Sequence, residues 1–276
     1  MPTILFPTDF SKVAQRALEY IIPIAAQLQA KVRLLHVCNL PASYTEAPSY
    51  VLDEEMAVVE AEARARMCDL QRRLRSSYPE LTFCTRIVRG STVRTIVEEA
   101  HEADWIMMGT RGAGWWRQLF GGSIASRVVA QAPCPVLSIP ARDTFHGIHH
   151  IIFASNYEPG DLQALRSISD LAKVFDAEIE VVHISTAGED PNPEQFQAFC
   201  ARIEQTIAYP RLSFRVYPHK NVQQALSKLV SHPKVEILAM CPQRRSGLDR
   251  LLHRSQTRAM AQHCEKAILA LPTQMN

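Results

Sequence analysis

The chain of 276 residues is 47% hydrophobic and 21% charged, which suits two compact domains and excludes a disordered-type composition. Its formal net charge of +2 is too small for bulk attraction to nucleic acid or to a membrane surface, so neither is expected as a partner. No apolar run approaches the roughly 20 residues of a membrane span, and MPTILFPTDF lacks the basic start and small-residue cleavage site of a signal peptide, so a cytoplasmic protein is expected.

In chain order, short apolar and β-branched runs alternate with amphipathic stretches, the pattern of βαβ units and a largely parallel sheet. Strands are expected near 3–8, 32–38, 82–88, 104–109 and 135–139. Ser11 suits the N-cap of a helix running to Gln29, and Met56, Val59, Ala63, Met67, Leu70 and Leu74 recur at spacings of three and four. Helices near 92–102 and 123–131 complete a doubly wound domain, whose ligand belongs beyond the carboxyl ends of the strands.

The polar Ala141-Arg142-Asp143-Thr144 then leads into a second copy. Ile4 to Phe10 resembles Ile151 to Tyr157, and Leu34-Leu35-His36-Val37 resembles Val181-Val182-His183-Ile184 at the same offset. Ile106 to Gly109 faces Leu238 to Cys241, and Pro135 to Pro140 faces Ala267 to Pro272 at a shorter offset. The division is therefore 1–143 and 144–276, two tandem α/β domains of five parallel strands each. Pro135 to Pro140 and Ala267 to Pro272 come last in their sheets, so each is expected at an edge, and pairing them inside the chain would hide both edges. A homodimer is also compatible with the pattern.

The seven cysteines (Cys38, Cys68, Cys84, Cys134, Cys200, Cys241, Cys264) are odd in number, contain no CxxC pair and read as reduced core residues. The histidines of His146-Gly147-Ile148-His149-His150 have no Cys or carboxylate cluster beside them and read as linker residues. His36 and His183 occupy equivalent strand positions and read as structural.

Two segments lie where a doubly wound domain holds its ligand. The first strand ends in Pro7-Thr8-Asp9; the fourth ends in Gly109-Thr110-Arg111-Gly112, followed after nine residues by Gly122-Ser123 at a helix start. Glycine allows backbone to approach an anion closely, and first-turn amides point outward with the positive end of the helix dipole. That composes a phosphate cradle with an acid opposite, although the same glycines equally suit turns. No Lys precedes Ser123, so this is not a Walker A loop, and Arg117 stands where a dinucleotide fingerprint needs its third glycine.

The spacing Gly109, Gly112, Gly122-Ser123, with the start ILFPTDFS and the second strand LLHV, resembles the ATP-binding pattern of the universal stress protein family. The resemblance spans both halves. It implies adenine near Pro7 and Val37, with ribose and a Mg ion, through water or nucleotide, near Asp9. It implies phosphates on the loop Gly109, Thr110, Arg111, Gly112, Ala113, Gly114 and Trp115 and on the helix start Gly122, Ser123, Ile124 and Ala125. The adjacent Trp115-Trp116 departs from the small or aliphatic residues usual there.

In the second half, the glycine positions become Cys241, Arg244 and Arg254, and Asn156 replaces Asp9, so a degenerate domain is expected. Arg244, Arg245, Arg250, Arg254 and Arg258 read as solvated surface charges before a phosphate-binding face. With no GxSxG, no HExxH and no cysteine beside a convincing histidine, a dedicated hydrolase is disfavoured. Three readings remain: a stress-response regulatory module that binds ATP and signals to a protein partner, a slow ATPase or nucleotide-handling enzyme on the same fold, and a nucleotide-free scaffold.

Overall fold

A computed structural model describes residues 1–39, 49–110, 123–158, 160–186, 193–242 and 266–272. The first half runs β1 (Thr3–Pro7), α1 (Lys12–Gln27), β2 (Lys31–Cys38), α2 (Ser49–Ser77), β3 (Thr82–Arg89), α3 (Thr92–Glu99), β4 (Trp105–Thr110), α4 (Ile124–Val129) and β5 (Val136–Pro140). The second runs β6 (His150–Ala154), α5 (Asp161–Phe175), β7 (Glu178–Ser185), α6 (Pro193–Thr206), β8 (Leu212–Pro218), α7 (Val222–Val230), β9 (Ile237–Met240) and β10 (Ala267–Ala270). Among the described residues no helix is long and apolar enough to cross a membrane.

The strands form one sheet in the order β3-β2-β1-β4-β5-β10-β9-β6-β7-β8. Within each half all neighbours are parallel. Across the middle, β5 and β10 run antiparallel, with Val136 opposite Ala270, Leu137 opposite Leu269 and Ser138 opposite Ile268. Each edge thus satisfies the other's backbone groups, which are costly to leave unpaired in a buried setting. Strand order reverses at β1 in one half and at β6 in the other.

Alternation along the strands divides the core. Ile4 and Phe6 of β1 point to the face covered by α1 and α2, where a single apolar cluster continues across both halves to Phe153, Ile168 and Phe199. Leu5 points to the opposite face, where α3 and α4 cover a separate cluster with Ile96, Ile106 and Val128. In α1, Ser11 caps the helix by accepting from the Ala14 amide at 3.2 Å, and Ala14, Ala17, Leu18, Ile21, Ile24 and Ala25 make its buried stripe. The helix continues past Pro23 and ends at Gln27, one turn at most short of the predicted limit. Ala63, Met67 and Leu74 of the predicted α2 stripe are buried, while outward arginines pair with carboxylates one turn away.

Two expectations need correction. The segment after β5 reads as a polar join, yet it is packed: Phe145 meets Tyr20 of α1 edge-on at 5.3 Å and Phe175 of α5 at 6.1 Å, and Ile148 is buried. The physical reason is that Tyr20 in the middle of α1 and Phe175 at the end of α5 belong to one apolar face of the joined sheet, and Phe145 of the connection packs against both. Asp143 is drawn in with it, accepting from the Ala267 and Thr144 amides, and burial pushes its carboxyl up to about 6. The cysteines are also less uniform than predicted. All six described are free thiols, but only Cys38 and Cys134 are buried, and Cys68 is exposed on α2, whose outward face needs no apolar residue. Cys264 lies outside the described residues.

Candidate functional site

The turn after β1 is built by local hydrogen bonds. The Thr8 amide continues the ladder to the Leu35 carbonyl at 2.8 Å, and Thr8 Oγ1 then accepts from the Phe10 amide at 3.0 Å. Phe10 takes φ 59°, a left-handed conformation costly for a bulky residue, and its ring lies on the His36 ring with centroids 4.5 Å apart. His36 Nδ1 is 2.8 Å from the Thr8 carbonyl oxygen. Asp9 is thereby turned outward, with its Oδ1 accepting from the Ser11 amide at 3.0 Å.

The second half repeats this turn. Ser155 Oγ accepts from the Tyr157 amide at 3.0 Å, Tyr157 has φ 62°, its ring stacks on His183 at 4.3 Å, and His183 Nδ1 is 3.0 Å from the Ser155 carbonyl. Both histidines orient a strand end, which accords with their structural reading.

A cavity of about 720 Å³ opens over the carboxyl ends of β1, β2 and β4. It brings together Pro7, Thr8 and Asp9 from the first turn, Val37 from β2, Gly109 and Thr110 from β4, and Ser123, Ile124 and Ala125 from the start of α4. Those are nine of the predicted site residues; Arg111, Gly112, Ala113, Gly114, Trp115 and Gly122 lie outside the described residues. Gly109 is tightly packed, since a Cβ there would lie 3.0 Å from the Val13 carbonyl oxygen and 3.0 Å from the Ala17 Cβ, and α1 would have to give by a few tenths of an ångström. Thr110 is buried, with its hydroxyl 3.4 Å from the Ile139 carbonyl, and Ser123 caps α4 by accepting from the Ser126 amide at 3.2 Å.

The cavity also takes in residues that the sequence reading passed over: Cys38 and Asn39 beyond Val37, Thr92 and Ile96 of α3, Met108 of β4 and Val59 of α2. Cys38, Asn39 and Met108 sit at strand ends and were open to prediction from the switch-point rule. Val59 and Thr92 were not, because only tertiary packing brings α2 and α3 over the site. An ion pair of Glu60 with Arg89 of β3 ties α2 down beside Val59. Hydrogen bonds from Arg89 and Arg64 hold the Glu60 carboxyl below the usual carboxylate range.

Asp9 supplies a single carboxylate, and no group of three or more His, Cys, Asp or Glu that could hold a metal occurs among the described residues. One carboxylate fits an ion held mainly by phosphates and water, as Mg in nucleotide sites usually is. In the linker, Thr144 Oγ1 meets His146 Nε2 at 2.7 Å, while His149 and His150 face Glu236 and Glu180.

Comparison with known proteins decides the family. The sequence model of the universal stress protein family matches residues 1–140. The chain belongs to the universal stress protein family. A universal stress protein of Thermus aquaticus, from the region 3′ of a sulfhydrylase gene, is 32% identical over 143 residues, which cover 50% of this chain and 97% of that protein. One from Methanocaldococcus jannaschii is 29% identical over 143 residues, covering 49% of this chain and 80% of its own. The crystal structure of a universal stress protein from Archaeoglobus fulgidus superposes with a TM-score of 0.74 at 15% identity, covering 98% of this chain and 96% of that one. The fold is therefore that of a two-domain, Rossmann-like universal stress protein, each half carrying five parallel strands.

Proposed function

We propose that this universal stress protein binds one ATP per chain in the first-half cavity and acts as a nucleotide-dependent regulatory module, read by a protein partner. The observation that carries the reading is the cavity's position and lining. It lies where strand order reverses, its volume of about 720 Å³ falls within the range of small-ligand sites, and one wall is the bare backbone of Gly109. Pro7, Val37 and Ile96 offer apolar surface for a base, Asp9 stands at the rim for a ribose or a Mg ion, and Gly109 and Ser123 line the part suited to phosphates. Mg would neutralise phosphate charge there.

In this reading residues 1–143 form the live copy and 144–276 a degenerate one retained to complete the sheet. Binding is favoured over turnover because Asp9 is the one carboxylate among the described residues that line the cavity, so no pair of carboxylates is present for acid–base work. The test is calorimetric titration of the full chain with Mg-ATP, together with mass spectrometry of any nucleotide that co-purifies. A stoichiometry of one is expected; two equal sites, or no heat at millimolar Mg-ATP, would overturn the proposal.

A further inference from the structure

The second half differs from the first at the place where α5 begins. The paired turns correspond residue for residue, Thr8 with Ser155 and Phe10 with Tyr157, and the same alignment sets Ala14 against Asp161 and Val13 against Gly160. Ala14 is a methyl on the wall of the first-half cavity. Asp161 is 2% exposed, a depth at which a carboxylate needs several donors.

It has them. Ser155 Oγ donates to Asp161 Oδ2 at 2.6 Å and the Glu158 amide donates to the same oxygen at 3.1 Å. The Asn156 amide and the Cys241 thiol also bond to the carboxylate. Cys241 occupies the position of Gly109, where in the first half a Cβ would press on the Val13 carbonyl and on Ala17 of α1. Most telling is the amide at the end of the turn. In the first half that amide, of Ser11, is taken by Asp9 at the cavity rim. In the second, the equivalent amide of Glu158 is taken by Asp161 from inside, and Asn156, in the place of Asp9, is exposed.

We infer that the second half carries its own occupant: the Asp161 carboxyl group, with the Cys241 thiol against it, fills from within the space that the first half keeps open for a ligand. The first turn of α5 favours a negative charge at this point, and Ser155 relays the turn to it by accepting from the Tyr157 amide while donating to the carboxylate. The half is therefore locked in an occupied arrangement without an external ligand. Its silence toward nucleotides does not rest on its missing glycines alone. This inference stands whatever the first-half cavity binds.

Removing the carboxylate should leave an anion hole that a small external carboxylate refills. The test compares thermal unfolding of the full chain, wild type, Asp161→Ala and Asp161→Asn, in sodium formate and in sodium chloride at matched ionic strength. Asp161→Ala is expected to melt below wild type and to recover by about 2–4 °C in formate, saturably, the shift of a kilocalorie-scale interaction in a chain of this size. Wild type and Asp161→Asn, which keep the space filled, should show no difference between the two salts. If Asp161→Ala does not stay folded in buffer, it is refolded into each salt, and recovery in formate alone is the expected result. Indifference of Asp161→Ala to formate, an equal shift in wild type, or failure to refold in both salts would each overturn the inference.

Discussion

Gly109 stands flush against Val13, so that a side chain at 109 would meet the carbonyl oxygen of Val13 at 3.0 Å. In the second half the same pair is inverted, with Cys241 on the strand and Gly160 on the helix side, and α5 begins at Asp161, later in the turn than α1 does. Gly109→Ala is therefore expected to destabilise the protein by about 1–3 kcal/mol, the range for overpacking, and to weaken nucleotide binding. Thermal unfolding and calorimetric titration of one preparation check both; an unchanged melting temperature would show that α1 yields freely.

Copying the second half's arginines into the first tests the cradle. Gly112→Arg and Gly122→Arg should each abolish Mg-ATP binding while leaving the fold intact by circular dichroism. Asp9→Asn should weaken it by about 1.5–3 kcal/mol, as expected for losing a charge-assisted hydrogen bond. Retained affinity in either arginine variant would place the phosphates elsewhere.

Asp143 gives the junction a pH dependence. Burial raises its carboxyl from 3.8 to about 6, so between about pH 4 and pH 6 the folded chain keeps a proton that the unfolded chain releases. Its contribution to stability is thus fullest at low pH and is lost as pH rises through that window. Asp143→Asn, which can still accept one of the two amides, should be more stable than wild type by about 1–2 kcal/mol at neutral pH, with the advantage vanishing below pH 4. Urea unfolding of both proteins across that range measures it, and parallel curves would refute it.

Tyr157 and Phe10 fill equivalent places, but the Tyr157 hydroxyl is buried without a hydrogen-bond partner. Burial pushes the phenol well above its ordinary range. Tyr157→Phe should be neutral or stabilising, by up to about 1–2 kcal/mol, because it deletes an unsatisfied polar group and keeps the ring on His183. A clear loss of stability would mean that the hydroxyl has a partner in solution.

Residues 1–143 expressed alone would bare the edge of β5, whose Leu137 and Ser138 pair with Leu269 and Ile268 in the full chain. The fragment should remain soluble and elute as a dimer through that edge. A strictly monomeric fragment that binds ATP would show that the β5–β10 pairing is dispensable.

The architecture was legible because period and repetition are local properties. Ile4, Leu5 and Phe6 announce a buried strand, Ser11 a helix start, and Ile151 to Tyr157 a second use of the same plan. The glycine spacing marked one end of the cavity for a comparable reason: a backbone that must approach its neighbours closely excludes side chains, as Gly109 does against Val13. What the chain alone could not disclose depends on which distant groups meet. Val59 and Thr92 join the cavity only because α2 and α3 fold over it, and Asp143 looks like a solvated linker residue until β10 supplies the Ala267 amide. Asp161 is the sharpest case. In sequence it is an ordinary acid in the first turn of a helix, and it becomes the internal occupant of the second half because Ser155 and Glu158 of its own turn and Cys241, brought from the end of β9, close around it. Periodicity and local sterics are written along the chain, whereas desolvation and its compensation exist only once the chain has closed around the group.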